Sequence, residues 1–133
     1  MAIQVTGVDF IHVPSQDFEA AADFYGNTLG LECSKRYGKA PGAEYETGSL
    51  TLQVLESKAF GLEFAPTPNP IALHVDDVAA ARGELESKGV EFVADTIDSG
   101  VCHMAVFRDP DGNALMLHHR YAPKDAVSDS LPS

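Results

Sequence analysis

The sequence predicts an α+β chain built from one strand–helix–strands unit stated twice, and three observations predict it. Asp17-Phe18-Glu19-Ala20-Ala21-Ala22 opens a helical stretch that runs through Phe24-Tyr25 and breaks at Leu29-Gly30-Leu31-Glu32. Asp77-Val78-Ala79-Ala80-Ala81 opens a second, which breaks at Lys88-Gly89-Val90-Glu91. Each stretch follows a short apolar run, Val8 to Val13 and Ile71 to Val75, and leads into strand-rich sequence. A unit of this kind cannot bury its sheet alone. Pairing the two copies buries it and creates a concave cleft in which ligand chemistry would sit.

Taken in order, the first helix carries Phe18, Ala21, Ala22, Tyr25 and Leu29 at i, i+3, i+4, i+7 and i+11, one apolar stripe. Ser15 or Asp17 is placed to cap its start, and Gly30 supplies the left-handed residue that ends it. Strands are expected over 31–37, 44–47 and 50–56, with a loop from Tyr37 to Gly42 where Gly38, Pro41 and Gly42 interrupt the pattern. Pro66-Thr67-Pro68-Asn69-Pro70 joins the halves, its three prolines resisting any regular element. The second helix has Val78, Ala81 and Leu85 on one face, Asp76 as the expected cap and Gly89 as terminator. Strands are then expected over 90–95, 101–108 and 114–119. Asp109-Pro110-Asp111-Gly112 is a tight turn between the last two, because proline presets φ at the second position. This organisation makes a single domain of module one (5–65), module two (70–120) and a polar tail (121–133) expected to fray.

Composition narrows the function. At 133 residues, 44% hydrophobic, the chain can bury a substantial core. No apolar run approaches the roughly 20 residues of a membrane helix, and Met1-Ala2-Ile3-Gln4-Val5 lacks the basic and apolar regions of a signal peptide. A cytoplasmic bacterial protein is expected, with no membrane partner. Cys33 and Cys102 are too few for a disulfide framework and are expected to be reduced and packed in the core. The net charge of −11 repels nucleic acid and permits attraction of a cationic ligand, while also serving solubility.

Asp17-Phe18-Glu19 with Phe24-Tyr25 and Leu29-Gly30-Leu31, together with the late Phe107-Arg108-Asp109-Pro110-Asp111-Gly112-Asn113, resemble the vicinal oxygen chelate superfamily. That superfamily covers glyoxalase I, bleomycin-resistance proteins, fosfomycin-resistance enzymes and extradiol dioxygenases. Either piece alone is common; together, on a duplicated frame and over about residues 5 to 120, they are specific. The resemblance implies two βαβββ modules forming paired, curved, mixed sheets around a concave ligand cavity. Within it, period-2 alternation divides the strands. Ile11, Val13, Ile71, Leu73, Val75, Leu115 and Leu117 suit the face beneath the helices, whereas Phe10, His12, Ala72, His74, Met116 and His118 face the cavity. In the fourth strand the numbering reverses, hiding Leu50, Leu52 and Val54 and presenting Thr51, Gln53 and Leu55.

Metal-dependent members place one His or Glu ligand on each of four strands. Aligned on Asp17, Asp77 and Gly112, those positions fall here on Phe10, Pro70 and Met116, with Gln53 the fourth. A phenyl ring and a proline cannot ligate, and a thioether is too soft for the usual hard divalent ions. No cofactor is therefore expected at the usual position. A displaced metal site drawn from His12, His74 and His118 with Gln53 is the alternative, because imidazole is the commonest metal ligand. Hydrogen-bonded histidines that orient a ligand are the simpler account of the same residues. His103 and His119 are expected to be structural or exposed. No glycine-rich phosphate loop is present, since Gly26, Gly30 and Gly38 are scattered.

Two functions follow. In the first, the protein binds a small organic molecule, of cationic character if the charge is used, through Phe10, His12, Gln53, His74, Met116 and His118, without the family's usual metal. In the second it is a glyoxalase-like lyase or isomerase acting through the displaced metal site or through His12 as general base. Tyr37 and Tyr45 are available to stack on a ligand or to cover the sheet edge. The duplicated modules also imply a homodimer, the default isologous assembly. Light scattering at micromolar concentration should give the mass of two chains, and a monomer alone would overturn that expectation.

Overall fold

The structure is a computed structural model that describes residues 2–124. The chain forms two compact units, one ending at Ala65 and one beginning at Pro66. Most of the expected polar tail, residues 125–133, lies outside the described residues.

The first unit runs β1 (Phe10–Ser15), α1 (Phe18–Asp23), β2 (Glu32–Arg36), β3 (Gly42–Glu46) and β4 (Thr51–Glu56), ending in a 3₁₀ turn over Ser57–Phe60. Its sheet has the order β1-β4-β3-β2, with β1 parallel to β4 and the other pairs antiparallel. β1 begins two residues later than the apolar run suggested, because its pairing starts at Phe10 opposite Thr51. Beyond Thr51 the partner chain turns away: Thr47 Oγ1 accepts from the Leu50 N–H at 3.1 Å and Gly48 takes φ 101°. β3 likewise starts earlier than expected, at Gly42, whose carbonyl accepts from the Tyr37 N–H at 2.9 Å to close the hairpin.

α1 starts where its cap dictates. Asp17 Oδ1 accepts from the Ala20 N–H at 3.3 Å, and Glu56 Oε1 accepts from the Phe18 N–H at 3.2 Å, binding the helix start to the end of β4. After Asp23 the helix widens into a π-turn over Phe24–Thr28, with the Leu29 N–H bonding the Phe24 carbonyl at 2.8 Å. The wider turn changes the phase of the stripe, so Phe24 joins Phe18, Ala21, Ala22 and Tyr25 in the core. Tyr25 and Tyr45 sit with ring centroids 6.1 Å apart, and the Tyr45 hydroxyl donates to the Ala22 carbonyl at 3.4 Å. Tyr45 is thus core and not a ligand-stacking residue; burial raises its phenol pKa. Val13, Ala43, Leu52 and Val54 complete the buried layer on the expected parity.

The second unit repeats the plan with β5 (Ile71–His74), α2 (Val78–Ser87), β6 (Ile97–Asp98), β7 (Cys102–Arg108) and β8 (Ala114–Arg120). The order β5-β8-β7-β6 and the parallel β5–β8 pair match the first sheet. Leu115, Leu117, Ala105 and Phe107 are buried with Val78 and Leu85 of α2, while Ile71 and Leu73 are half-buried on the edge strand.

Three expectations are corrected. The cap of α2 is Asp77, which accepts from the Ala80 N–H at 3.0 Å; Asp76 lies one residue too early to reach that donor. The expected strand over 90–95 is absent and reduces to a single bridge between Phe92 and Phe107, followed by the two-residue β6. Arg82 explains this: its guanidinium lies 4.5 Å over the Phe92 ring and donates to the Ala94 carbonyl at 3.0 Å, taking an acceptor a strand would need. Cys33 is exposed on β2, the edge strand, whereas Cys102 is buried; both are free. Among the described residues no helix is long and apolar enough to cross a membrane.

The Asp109–Gly112 turn forms as read, with Gly112 at φ 91°. Asp109 Oδ1 accepts from the N–H groups of Asp111 and Asn113, both at 2.9 Å. Asn113, 2% exposed, donates to Asp109 Oδ2 at 2.8 Å and accepts from the Thr67 N–H at 2.9 Å. One amide therefore ties the proline-rich connection to the turn. Replacing Asn113 by Ala should cost about 1–3 kcal/mol, because it removes the hydrogen bonds that the buried amide makes to the Asp109 carboxylate and the Thr67 N–H. Urea denaturation measures it, and a loss below about 0.5 kcal/mol would refute this role.

Candidate functional site

On the first sheet the register builds two rows of side chains on the face opposite α1. His12, Gln53 and Glu44 are successive cross-strand partners in one row; Phe10, Thr51 and Glu46 are partners in the next. Tyr37, from the turn between β2 and β3, joins the first row. Its hydroxyl donates to Glu44 Oε2 and accepts from Gln53 Nε2 at 3.1 Å. Gly42 makes room for that ring: a Cβ there would meet Tyr37 Cδ2 at 2.6 Å and Leu55 Cδ2 at 2.5 Å. Burial, then the hydrogen bond to Glu44, raises the Tyr37 pKa, so the phenol stays protonated and donating at neutral pH.

In the second row Thr51 and Ser34 donate to the two oxygens of Glu46 at 2.7 and 2.5 Å. The bond from Ser34, and then that from Thr51, lowers the Glu46 pKa and keeps the carboxylate charged. Phe10 leaves 51% of its surface exposed at the end of this row. His12 is half-buried, and its Nδ1 is buried with no hydrogen-bond partner. No group therefore holds the imidazole in one tautomer, as the orienting residue of a general base does. The face offers an aromatic ring, an amide, a phenol, two carboxylates and one unsatisfied imidazole nitrogen.

On the second sheet the corresponding face carries Ala72, Met116 and Val106 in one row and His74, His118 and Met104 in the next. Met116 is half-buried against the apolar cluster of Val101, Cys102 and Met104. Burial, and after it the charges of Arg120, His74 and His119, lowers the His118 pKa, so that ring is neutral at pH 7. His74 does not stay in its row. As the last residue of an edge strand it turns toward His119, with ring centroids 5.6 Å apart, and its Nε2 lies 3.3 Å from Asp76 Oδ1. His103 is structural, as expected: it stacks on Tyr121 at 4.7 Å and lies 3.4 Å from Asp98.

The sequence-derived set is thus divided between the units. Phe10, His12 and Gln53 share the first sheet's face; Met116 and His118 share the second's, with His74 at its edge. At the positions where metal-dependent relatives carry ligands, the residues do not fit an ion. Phe10 and Pro70 offer no donor and Met116 packs in an apolar cluster, which leaves the Gln53 amide oxygen as a single donor, too few to hold an ion. Sequence reasoning missed Glu44 and Glu46, although period-2 alternation along β3 puts both on one face, opposite Gln53 and Thr51. It also missed the Tyr37–Glu44 bond and the meeting of Asp76 with His119, which need the folded chain.

A profile of the Glyoxalase/Bleomycin resistance protein/Dioxygenase superfamily matches residues 7–117. No curated protein matches the chain. Among solved structures, a glyoxalase/bleomycin resistance protein/dioxygenase from Nocardioides superposes with TM-score 0.75 at 18% identity, covering 95% of this chain and 91% of its own. Lactoylglutathione lyase from Agrobacterium tumefaciens gives 0.74 at 16% identity, with 86% and 94% covered. TnmS3, an antibiotic binding protein from Streptomyces sp. CB03234, gives 0.74 at 24% identity, with 90% and 99% covered. At these identities the likeness is one of fold.

The Tyr37 network carries its own test. Glu44→Gln removes a charge that opposes phenolate formation, so the Tyr37 pKa should fall, but not to the ordinary phenol value, because burial remains. Tyrosine-ring NMR titration reads this directly. An unchanged Tyr37 pKa would mean that Glu44 is not its acceptor.

Proposed function

The chain belongs to the Glyoxalase/Bleomycin resistance protein/Dioxygenase superfamily, and from that premise we propose that it reversibly captures a small organic molecule without a metal at the family's usual ligand positions. The observation that carries this reading is the His12 Nδ1, buried without a partner beside a half-exposed Phe10 and in the row of Gln53, Tyr37 and Glu44. A buried polar atom left unsatisfied costs about 1–3 kcal/mol, and a turn of the half-buried imidazole that brings Nδ1 to a ligand would recover it. Phe10 supplies an apolar face for a planar group. Glu44 and Glu46, on a chain of net charge −11, favour a ligand that carries positive charge.

The antibiotic-binding neighbour supports capture, and the lyase neighbour supports turnover, so fold does not choose between them. The donor set favours capture. Lyase or isomerase chemistry through His12 as general base would be served by a partner that orients Nδ1, and among the described residues that nitrogen has none. The working form would be the homodimer.

Calorimetric titration of protein kept in EDTA, against a panel of planar aromatic amines and antibiotics, tests the proposal. At least one should bind with one site per chain, and His12→Ala and Gln53→Ala should each weaken it tenfold or more with little loss of stability. Leu52→Ala, fully buried on the opposite parity, should instead cost roughly 2–5 kcal/mol. Loss of binding in EDTA, or binding indifferent to His12 and Gln53, would sink the reading.

A further inference from the structure

We propose that His74, Asp76 and His119 form a divalent transition-metal site at the end of β5, separate from the positions at which metal-dependent relatives carry their ligands. Among the described residues these three are the one group of metal-ligating side chains whose donor atoms all lie within 4.8 Å of one another. His74 closes the edge strand, Asp76 sits in the turn before the cap of α2, and His119 comes from the adjacent strand β8. Two short stretches of chain thus converge on one point, and local sequence supplies only the His74-Val75-Asp76 pair.

The geometry is close to what an ion requires. Donors bound to one tetrahedral zinc at 2.0–2.1 Å stand about 3.3 Å apart. His74 Nε2 and Asp76 Oδ1 already stand at 3.3 Å. His119 must close by about 1.5 Å at most, given the 4.8 Å limit on the group. The two side chains that would swing to meet it are 69% and 99% exposed, so little packing resists the movement. His119 is half-buried and holds the fixed side of the site. Its Nδ1 is buried with no hydrogen-bond partner among the described residues, so no hydrogen bond through that nitrogen fixes the ring.

The donor set selects the ion. Two imidazoles and one carboxylate suit Zn²⁺, Ni²⁺, Cu²⁺ or Fe²⁺, whereas Mg²⁺ and Ca²⁺ prefer all-oxygen sites. Three protein ligands leave at least one coordination position for water or for an oxygen of an external molecule. Without an ion, His74 and Asp76 make an ordinary exposed pair, and His119 has no part in it. An ion gives all three one purpose, and the acidic chain raises the local concentration of cations.

Calorimetry on tag-free, chelator-stripped full chain with Zn²⁺ alone, and the visible spectrum with Co²⁺ alone, test this independently of any organic ligand. One Zn²⁺ should bind per chain, and Co²⁺ should give a ligand-field band. His74→Ala, Asp76→Asn and His119→Gln should each weaken Zn²⁺ at least tenfold and remove the band, while His103→Gln should change neither. Should His119→Gln perturb the fold, the two exposed variants decide alone. Zn²⁺ binding that survives His74→Ala and Asp76→Asn, or that is lost in His118→Gln but not in Asp76→Asn, would overturn the proposal.

Discussion

Parallel pairing of β1 with β4, with Phe10 opposite Thr51 and His12 opposite Gln53, decides which side chains of the first unit meet α1 and which take the opposite face. Slipping the register by one residue would send Val13, Leu52 and Val54 outward and drive His12 and Gln53 under the helix. Burial enforces the observed choice. Leu52 and Val54 are fully enclosed, with Tyr25 and Tyr45 packed on the same layer. The helix is itself bound to that strand, since Glu56 at the end of β4 accepts from the first amide of α1. A polar recognition face is therefore a by-product of the register that the apolar face demands.

That face shows how one fold serves different chemistries. Relatives that use a metal need a donor on each of four strands, and the positions remain here while the donors do not. Phe10 contributes a ring, Met116 packs with Val101, Cys102 and Met104, and Gln53 gives its amide to a phenol. The same face carries a network: Gln53, Tyr37 and Glu44 in one row, and Glu46 held ionised by Ser34 and Thr51 in the next. A network of this kind fixes its side chains in place and presents negative charge.

Much of this was legible beforehand because it is local. Asp17, one of the two caps read for α1, reaches an amide three residues ahead, whereas for α2 the reading fell on Asp76, one residue short of the observed cap Asp77. The Asp109–Gly112 turn follows from its proline and its left-handed glycine. Alternation along β1, β4 and β8 identified the buried set, Val13, Leu52, Val54, Leu115 and Leu117, without any knowledge of the partner strands. Reading failed where a distant side chain intervened. The stretch 90–95 has strand-like composition, yet Arg82 takes the Ala94 carbonyl and stacks on Phe92. Tyr45 looked available to a ligand until the ring of Tyr25 was placed against it.

By itself the sequence determined the duplicated strand–helix–strands plan, the family, the Asp109–Gly112 turn, and the absence of donor atoms at Phe10 and Pro70. Each of these depends on residue type and on spacing along a few turns of chain. Only the tertiary structure decided that Tyr37 bridges Gln53 and Glu44, that the His12 Nδ1 is left without a partner, and that His74 leaves its row to meet Asp76 and His119. Those outcomes depend on neighbours brought in by strand pairing and on the rotamer of a residue at a strand's end. Period-2 alternation assigns a residue to a face, but it does not say which groups on that face will touch.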